Sequence, residues 1–364
     1  MWDRALVSLR SLGFGNQRTV PSLDGLRAVS IAFVLAAHIS GTRNFPNFLA
    51  PLGAMALFGV RVFFVISGYL ITSILLAELA RSGTISLSRF YFRRTLRLFP
   101  AAYVFIGVTA LLAANHRRLV GLEPGDLTYA LTYTMNYHEA RNWSLGHLWS
   151  LAVEEQFYVL WPITLKLIGV ARSTRFMFYV LAIVPFLRLL APRVTPALNF
   201  VVWCDALATG CLMAILWKDL HKNQKFMRLL SSRWFFIVPL IAVSLVYVPK
   251  TRIVDVFSGS IMNVAIALCI FWSIDNAKSG IGRFLNLPLV SFVGVLSYSL
   301  YLWQQMFLNQ WSQSRFSAFP INILLAITAA LASYLLVEVP ALRYRAALER
   351  KIELTKLPKT AGEH

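Results

Sequence analysis

The sequence predicts an all-α, polytopic membrane helix bundle, and three observations carry that prediction. The 364-residue chain is 57% hydrophobic and only 14% charged, against about 25% charged residues in a soluble domain. Its apolar runs recur from end to end and are continuous rather than alternating, which points to spanning helices and away from a barrel. Many of its basic residues fall between those runs, where the positive-inside rule places them. That placement accounts for the net charge of +19 without a nucleic-acid partner.

The runs predict about ten transmembrane helices, at 22–40, 55–77, 99–114, 148–168, 176–192, 200–217, 234–248, 258–274, 288–308 and 320–339. A further apolar stretch, 127–137, has only about 11 residues, too few to cross about 30 Å of hydrocarbon. Charge decides its placement. If it does not span, 24 of the 35 Lys and Arg collect on the side of both termini and 8 on the other, with Arg27, Arg61 and Arg188 inside helices. If it did span, the Lys218–Arg233 loop would face opposite the Arg81–Arg97 loop and the bias would collapse. The expectation is therefore a re-entrant or interfacial piece at 127–137 and two cytoplasmic termini. An integral membrane domain is expected over 1–344, with a polar cytoplasmic tail over 345–364 that frays. The N-terminus shows no short apolar region with a small-residue cleavage site, so the first run is expected to be an uncleaved anchor. No internal repeat is visible.

The first helix, PSLDGLRAVSIAFVLAAH, holds Arg27 and His38. Eleven positions at 100° each bring them to within roughly 20° of one helix face, about 16 Å apart along the axis. Asp24, three residues before Arg27, is spaced for an ion pair. Ionisable groups in a spanning helix are costly and normally face a bundle interior or a wet cavity, so a polar path is one reading. A snorkelling Arg and a satisfied core His are the other. Histidine is the usual general base near neutral pH.

Three more segments carry charge into the bundle. In FYFRRTLRLFP, Arg94 and Arg97 are spaced to clamp one anion beside Arg93, and arginine forks match phosphate. A topological anchor against anionic lipid explains the same residues. In LGHLWSLAVEEQFYVLWP, His147, Ser150, Glu154 and Tyr158 form one polar stripe with Glu155 a step round, as a reacting site or as a structural network. In FGVRVFFVISGYLIT, Arg61 falls in the depth range of His38, and its charge needs a partner; Ser67-Gly68 suits close helix packing. Cys204, Cys211 and Cys269 sit in apolar runs without disulfide or metal spacing, so no metal is implied.

In order along the chain, LDGLRAVSIAFVLAAH, GVRVFFVISGYLIT, RFYFRRTLRLFP, HLWSLAVEEQFYVLWP, CDALATGCLMAIL, SYSLYLW and the Glu338–Pro340 EVP resemble acyltransferase family 3 of bacterial membrane O-acyltransferases. The ordered set spans nearly the whole chain. The resemblance implies a place in the bacterial cytoplasmic (inner) membrane. It maps the family's Arg and His, ten residues between them, onto Arg27 and His38, and its Arg-x-x-Arg onto Arg94 and Arg97. It also implies a cytoplasmic acyl-CoA donor and an acceptor across the membrane. Many members carry a His after the YLW segment where this chain has Gln304, which can bind but not titrate. No esterase-like segment follows, so the transfer is expected to finish within the helices.

The resulting expectation is transfer of an acyl group, acetyl by preference, from acyl-CoA to a hydroxyl of a cell-surface glycan or glycolipid. His38 is the expected base, Arg27 a donor-positioning group and Arg61 an oxyanion stabiliser. Glu154 is expected to orient His147 or the acceptor. Arg93, Arg94 and Arg97 are expected on the CoA phosphates, and His147, Ser150, Tyr158 and Gln304 on the acceptor. Membrane lipid is the remaining partner. The alternative is a transporter or flippase for a polar or anionic solute, which would more often show repeats and helices broken at midplane.

Overall fold

The computed structural model describes residues 20–115, 120–190, 199–249 and 251–356. Arg4, Arg10, Arg18, Arg117, Arg118, Arg193, Lys250 and the tail beyond Lys356, which entered the charge count, lie outside them. Among the described residues the regular elements are all helices.

Helix α1 covers Leu23–Ile39 and α2 Ala56–Ser82. Helix α3, Leu87–Asn115, runs through Pro100. Two short helices, α4 (Asp126–Leu131) and α5 (Trp143–Gly146), flank a 3₁₀ turn at Met135–Tyr137. At six residues, α4 rises about 9 Å, so the 127–137 stretch does not cross as a helix. Helix α6, Leu148–Leu190, breaks at Gly169, where φ is 74°. A left-handed backbone costs glycine no Cβ clash, and the break divides α6 close to where the sequence ends one predicted span and begins the next.

Then follow α7 (Asn199–Ile215), α8 (Trp217–Lys222), α9 (Gln224–Ser231), α10 (Ile237–Tyr247) and α11 (Arg252–Asp275). The chain closes with α12 (Gly280–Leu285), α13 (Pro288–Phe307), α14 (Ile321–Ser333), a π-helical turn at Tyr334–Glu338 and α15 (Val339–Lys356). The tail expected to fray after Tyr344 therefore stays helical to Lys356, tied to α3 by an Arg93–Glu349 ion pair of 2.7 Å.

By length and composition, five helices among the described residues can cross a membrane: Asn47–Ser82, Leu87–Asn115, Trp143–Leu189, Val256–Asp275 and Ile321–Lys351. A sixth counts if Gln224–Ser231 and Arg233–Tyr247, bent by 69°, form one span. The predicted ten is larger for physical reasons. Helices α1 and α7 have 17 residues each, about 26 Å at 1.5 Å per residue. Trp143–Leu189 counts once although Gly169 interrupts it.

Helix α2 is the centre of the bundle, packed on α1 and α7, while α13 lies on the other side of α1. Phe64, Val65, Ile66, Ile71 and Leu75 are buried along it. The α2–α7 crossing depends on Gly68 and Gly210. A Cβ on Gly68 would overlap the Leu207 carbonyl, and one on Gly210 the Val65 carbonyl. Small residues at a crossing let two backbones approach, which is how membrane helices gain packing. Large apolar side chains face outward instead on α6, α10 and the π-helical turn, among them Leu167, Leu240 and Leu336. Outward apolar faces suit lipid.

Candidate active site

Two cavities lie end to end inside the bundle. The larger, about 710 Å³, is lined by His38 of α1, Ala56 and Leu57 of α2, and His147 and Trp149 around the start of α6. The 121–142 connection and Trp311 complete it. The smaller, about 100 Å³, is lined by Arg27, Arg94, Arg97, Ser67, Glu154 and Tyr158. Val60 and Tyr301 line both.

The connection over the larger cavity has no helical periodicity, yet it is held firmly. The buried Asp126 carboxylate accepts from the backbone N–H groups of Glu123, at 2.7 Å, and Asn142, at 3.3 Å, and lies 3.1 Å from His138 Nε2. The His138 ring stacks on Tyr129 at 4.5 Å. A buried carboxylate needs such donors, and meeting them brings Gly121, Glu123, Arg141 and Asn142 to the cavity wall.

His38 sits on that wall with its Nδ1 2.7 Å from Gln304 Oε1. An amide oxygen only accepts, so Nδ1 carries the proton and Nε2 is the basic nitrogen. The Trp143 ring packs edge-on to His38 at 5.1 Å, and its Nε1–H is occupied by the Gln305 carbonyl at 3.0 Å. The His38 ring is therefore held by Gln304 on one side and Trp143 on the other. Gln304 is fully buried behind it and lines neither cavity.

The smaller cavity is cationic and incompletely paired. Arg27 meets Asp24 at 3.3 Å. Arg94 lies over the Tyr158 ring at 3.7 Å, and its buried Nε has no hydrogen-bond partner. Arg97 makes no hydrogen bond or ion pair among the described residues. Glu154 accepts from the hydroxyls of Ser67 and Tyr158. The neighbouring Glu155 is buried with Oε1 unpartnered.

Four expected placements differ. Arg61 does not reach His38; it donates to Asn263 Oδ1 at 3.1 Å and lies over Trp203 at 4.6 Å, turned toward α7 and α11. Glu154 does not orient His147, whose Nε2–H donates to the Leu302 carbonyl at 3.0 Å. Arg93 is taken by Glu349, outside the Arg94/Arg97 cavity. The polar stripe of α6 is divided, with His147 on the larger cavity and Ser150, Glu154 and Tyr158 on the smaller. Sequence reasoning missed Tyr301, Trp143, Gln305 and Arg141. Of these only Tyr301 carried a signal, inside the SYSLYLW segment.

The two cavities change over at one level on three helices. Along α2, residues 56 and 57 line the larger cavity, Val60 lines both, and Phe63 and Ser67 line the smaller. Along α13, Ser297 lines the smaller, Tyr301 both and Gln305 the larger. On α6 the change comes between Trp149 and Ser150. Two histidines, His38 and His147, thus line one cavity, and Arg27, Arg94 and Arg97 the other.

Comparison with known proteins gives the family. The acyltransferase family 3 model, described as an acyltransferase domain, matches residues 20–339. A Staphylococcus aureus (strain COL) protein named "Putative O-acetyltransferase SACOL0978" is 29% identical over 316 residues, covering 80% of this chain and 51% of its own. The peptidoglycan O-acetyltransferase OatA of Listeria monocytogenes is 28% identical over 316 residues, 79% of this chain and 49% of its own. The O-acetyltransferase OatA of Staphylococcus aureus (strain NCTC 8325 / PS 47) is 28% identical over 360 residues, 89% and 57% respectively. The chain thus spans about half the length of the curated relatives it matches. No solved structure matches it. With a family model covering most of the chain and the family's segments gathered around two joined cavities, this multi-pass membrane protein belongs to acyltransferase family 3.

Proposed function

We propose that the chain transfers an acetyl group from cytoplasmic acetyl-CoA to a hydroxyl of a cell-surface glycan or a lipid-linked saccharide. The observation that carries this reading is the stacking of a cationic cavity on a histidine-bearing one, joined at Val60 and Tyr301. Arg94 and Arg97 hold the CoA phosphates, and Arg27 steadies the donor beyond them. The Arg94 Nε has no hydrogen-bond partner, and such a donor suits an incoming anion, since charge-assisted bonds to phosphate satisfy it. Arg27 and His38 are about 16 Å apart along α1, a gap that the flexible arm between the phosphates and the thioester of CoA spans.

At the far end the acceptor hydroxyl gives its proton to His38 Nε2 as its oxygen attacks the thioester carbonyl. The carbon–sulfur bond breaks, an ester forms, and the imidazolium returns the proton to the leaving thiolate. Gln304 keeps Nδ1 protonated throughout. Arg61 takes no part in the oxyanion, because its guanidinium is bonded elsewhere. The named activity of the Listeria relative, peptidoglycan O-acetylation, supports acetyl as the group and a wall glycan as the acceptor. Trp143 and Trp311, packed at 4.8 Å beside the larger cavity, supply the aromatic faces and Asn142 and Arg141 the polar edges that a sugar needs.

In this reading the chain crosses the bacterial inner membrane ten times with both termini cytoplasmic. The 127–137 stretch lies at the outer interface as a re-entrant or interfacial piece, and the 345–364 tail in the cytoplasm. The test is incubation of membranes holding the protein with acetyl-CoA labelled in its acetyl group. Label is expected in alkali-labile esters of extracted glycan. Label that crosses the membrane as a solute without entering glycan returns the chain to the transporter reading.

A further inference from the structure

The two cavities meet where Val60 and Tyr301 line both, and Tyr301 is the large polar side chain at that level. One helical turn before it on α13, Ser297 lines the smaller, inner cavity; one turn after it, Gln305 lines the larger, outer one. Its hydroxyl donates to the His147 carbonyl at 2.8 Å and bonds the Ser150 hydroxyl. Those partners belong to opposite sides: His147 lines the outer cavity and Ser150 the inner. The ring meets Phe63 edge-on at 6.5 Å from the inner side and His147 at 5.5 Å from the outer. Tyr301 is therefore latched across the changeover level, and Val60 is the other residue at that level.

We infer that Tyr301, held by Ser150 and the His147 carbonyl, is a partition that bars outer water from the donor cavity until the acceptor is seated. This rests on the reading of the inner cavity as the donor's and the outer as the acceptor's. A thioester exposed to outer water loses its acetyl group by hydrolysis: water oxygen bonds the carbonyl carbon, the carbon–sulfur bond breaks, and acetate and the CoA thiol result. A larger, wet outer cavity makes that loss the default unless something closes the path. A tyrosine suits the closure, because its ring blocks the passage while its hydroxyl is released by breaking two hydrogen bonds.

The partition can be tested without reference to transfer. Ser297→Cys places a thiol on the inner cavity, and a charged, membrane-impermeant methanethiosulfonate is added to the His38 side of sealed vesicles. The parent with its three native cysteines sets the background. With Tyr301 present the new thiol is expected to stay unlabelled; with Tyr301→Ala it is expected to react at least tenfold faster. Ser150→Ala, which keeps the ring but loosens its latch, is expected to give an intermediate rate. Should Tyr301→Ala fail to assemble, Ser150→Ala and Tyr301→Phe carry the test alone. Fast labelling with Tyr301 intact overturns the partition, as does no increase in any variant that assembles. A second reading follows acetyl-CoA hydrolysis without acceptor, expected to rise in Tyr301→Ala; a flat rate there, with labelling increased, places the fault in the donor reading and not in the partition.

Discussion

Among the described residues the bundle holds two groups of buried or half-buried arginines, and they are built differently. Around α7, Arg188 meets Asp205 at 2.6 Å and the Val202 carbonyl at 2.9 Å, and Ser260 donates to Asp205 at 2.7 Å. Arg61 joins this group through Asn263 and Trp203. None of Arg61, Arg188 and Asp205 lines either cavity. Around α3, Arg94 and Arg97 face a cavity, one with an unpartnered Nε and the other with no bond among the described residues. Both groups break the rule that charge avoids the membrane interior. The cations of the first are bonded by the protein itself, although Asp205 Oδ1 and Asn263 Nδ2 keep no partner, and the group reads as architecture. Those of the second lie against a cavity, Arg94 over Tyr158 with its Nε unbonded, and a cation facing a cavity reads as a place for an anion.

Breaking the closed group should have the largest effect. Asp205→Ala leaves Arg188 buried without its counter-ion, and removing one member of such a pair costs about 3–5 kcal/mol. The expected outcome is a sharp loss of thermal stability in detergent, with activity falling only as folded protein falls. A variant of normal stability but no activity would move this group into the site. Arg97→Ala should do the reverse. Loss of one charge-assisted bond costs about 1.5–3 kcal/mol, so CoA affinity is expected to fall by roughly tenfold or more, with stability held or raised. Unchanged affinity in titration calorimetry would return Arg97 to a topological anchor. The smallest effect belongs to Arg93→Ala. Its partly exposed pair with Glu349 is worth at most about 1 kcal/mol, so CoA affinity is expected to move by less than about threefold. A larger loss would extend the phosphate site to Arg93.

The same contrast explains what could be read before the fold was known. Helical period places Arg27 and His38 on one face, and Arg94 beside Arg97, because 3.6 residues per turn is a property of the segment alone. It gives azimuth and height but not the neighbouring helix. Arg61 therefore had a depth and no partner, and its partners proved to be Asn263 and Trp203, far away in sequence. Glu154 and His147 share a stripe, yet seven residues separate them by about 10 Å, enough to fall in different cavities. Gln304 was read as an acceptor contact, and its bond to His38 crosses 266 positions. The 121–142 connection showed only a short apolar stretch at 127–137, and the Asp126–His138 contact that helps hold it is a pairing that periodicity does not report.

The claim that most needs a measurement is that His38 moves the proton while the arginines hold the donor. The protein is purified in detergent as wild type and His38→Ala, and acetyl-CoA binding and single-turnover transfer to glycan are followed on the same samples. The expected result is binding within about twofold of wild type and transfer lower by about 10²–10⁴, the usual contribution of a general base. His38→Ala protein that assembles, binds acetyl-CoA and still transfers acetyl within about tenfold of wild type would contradict the account.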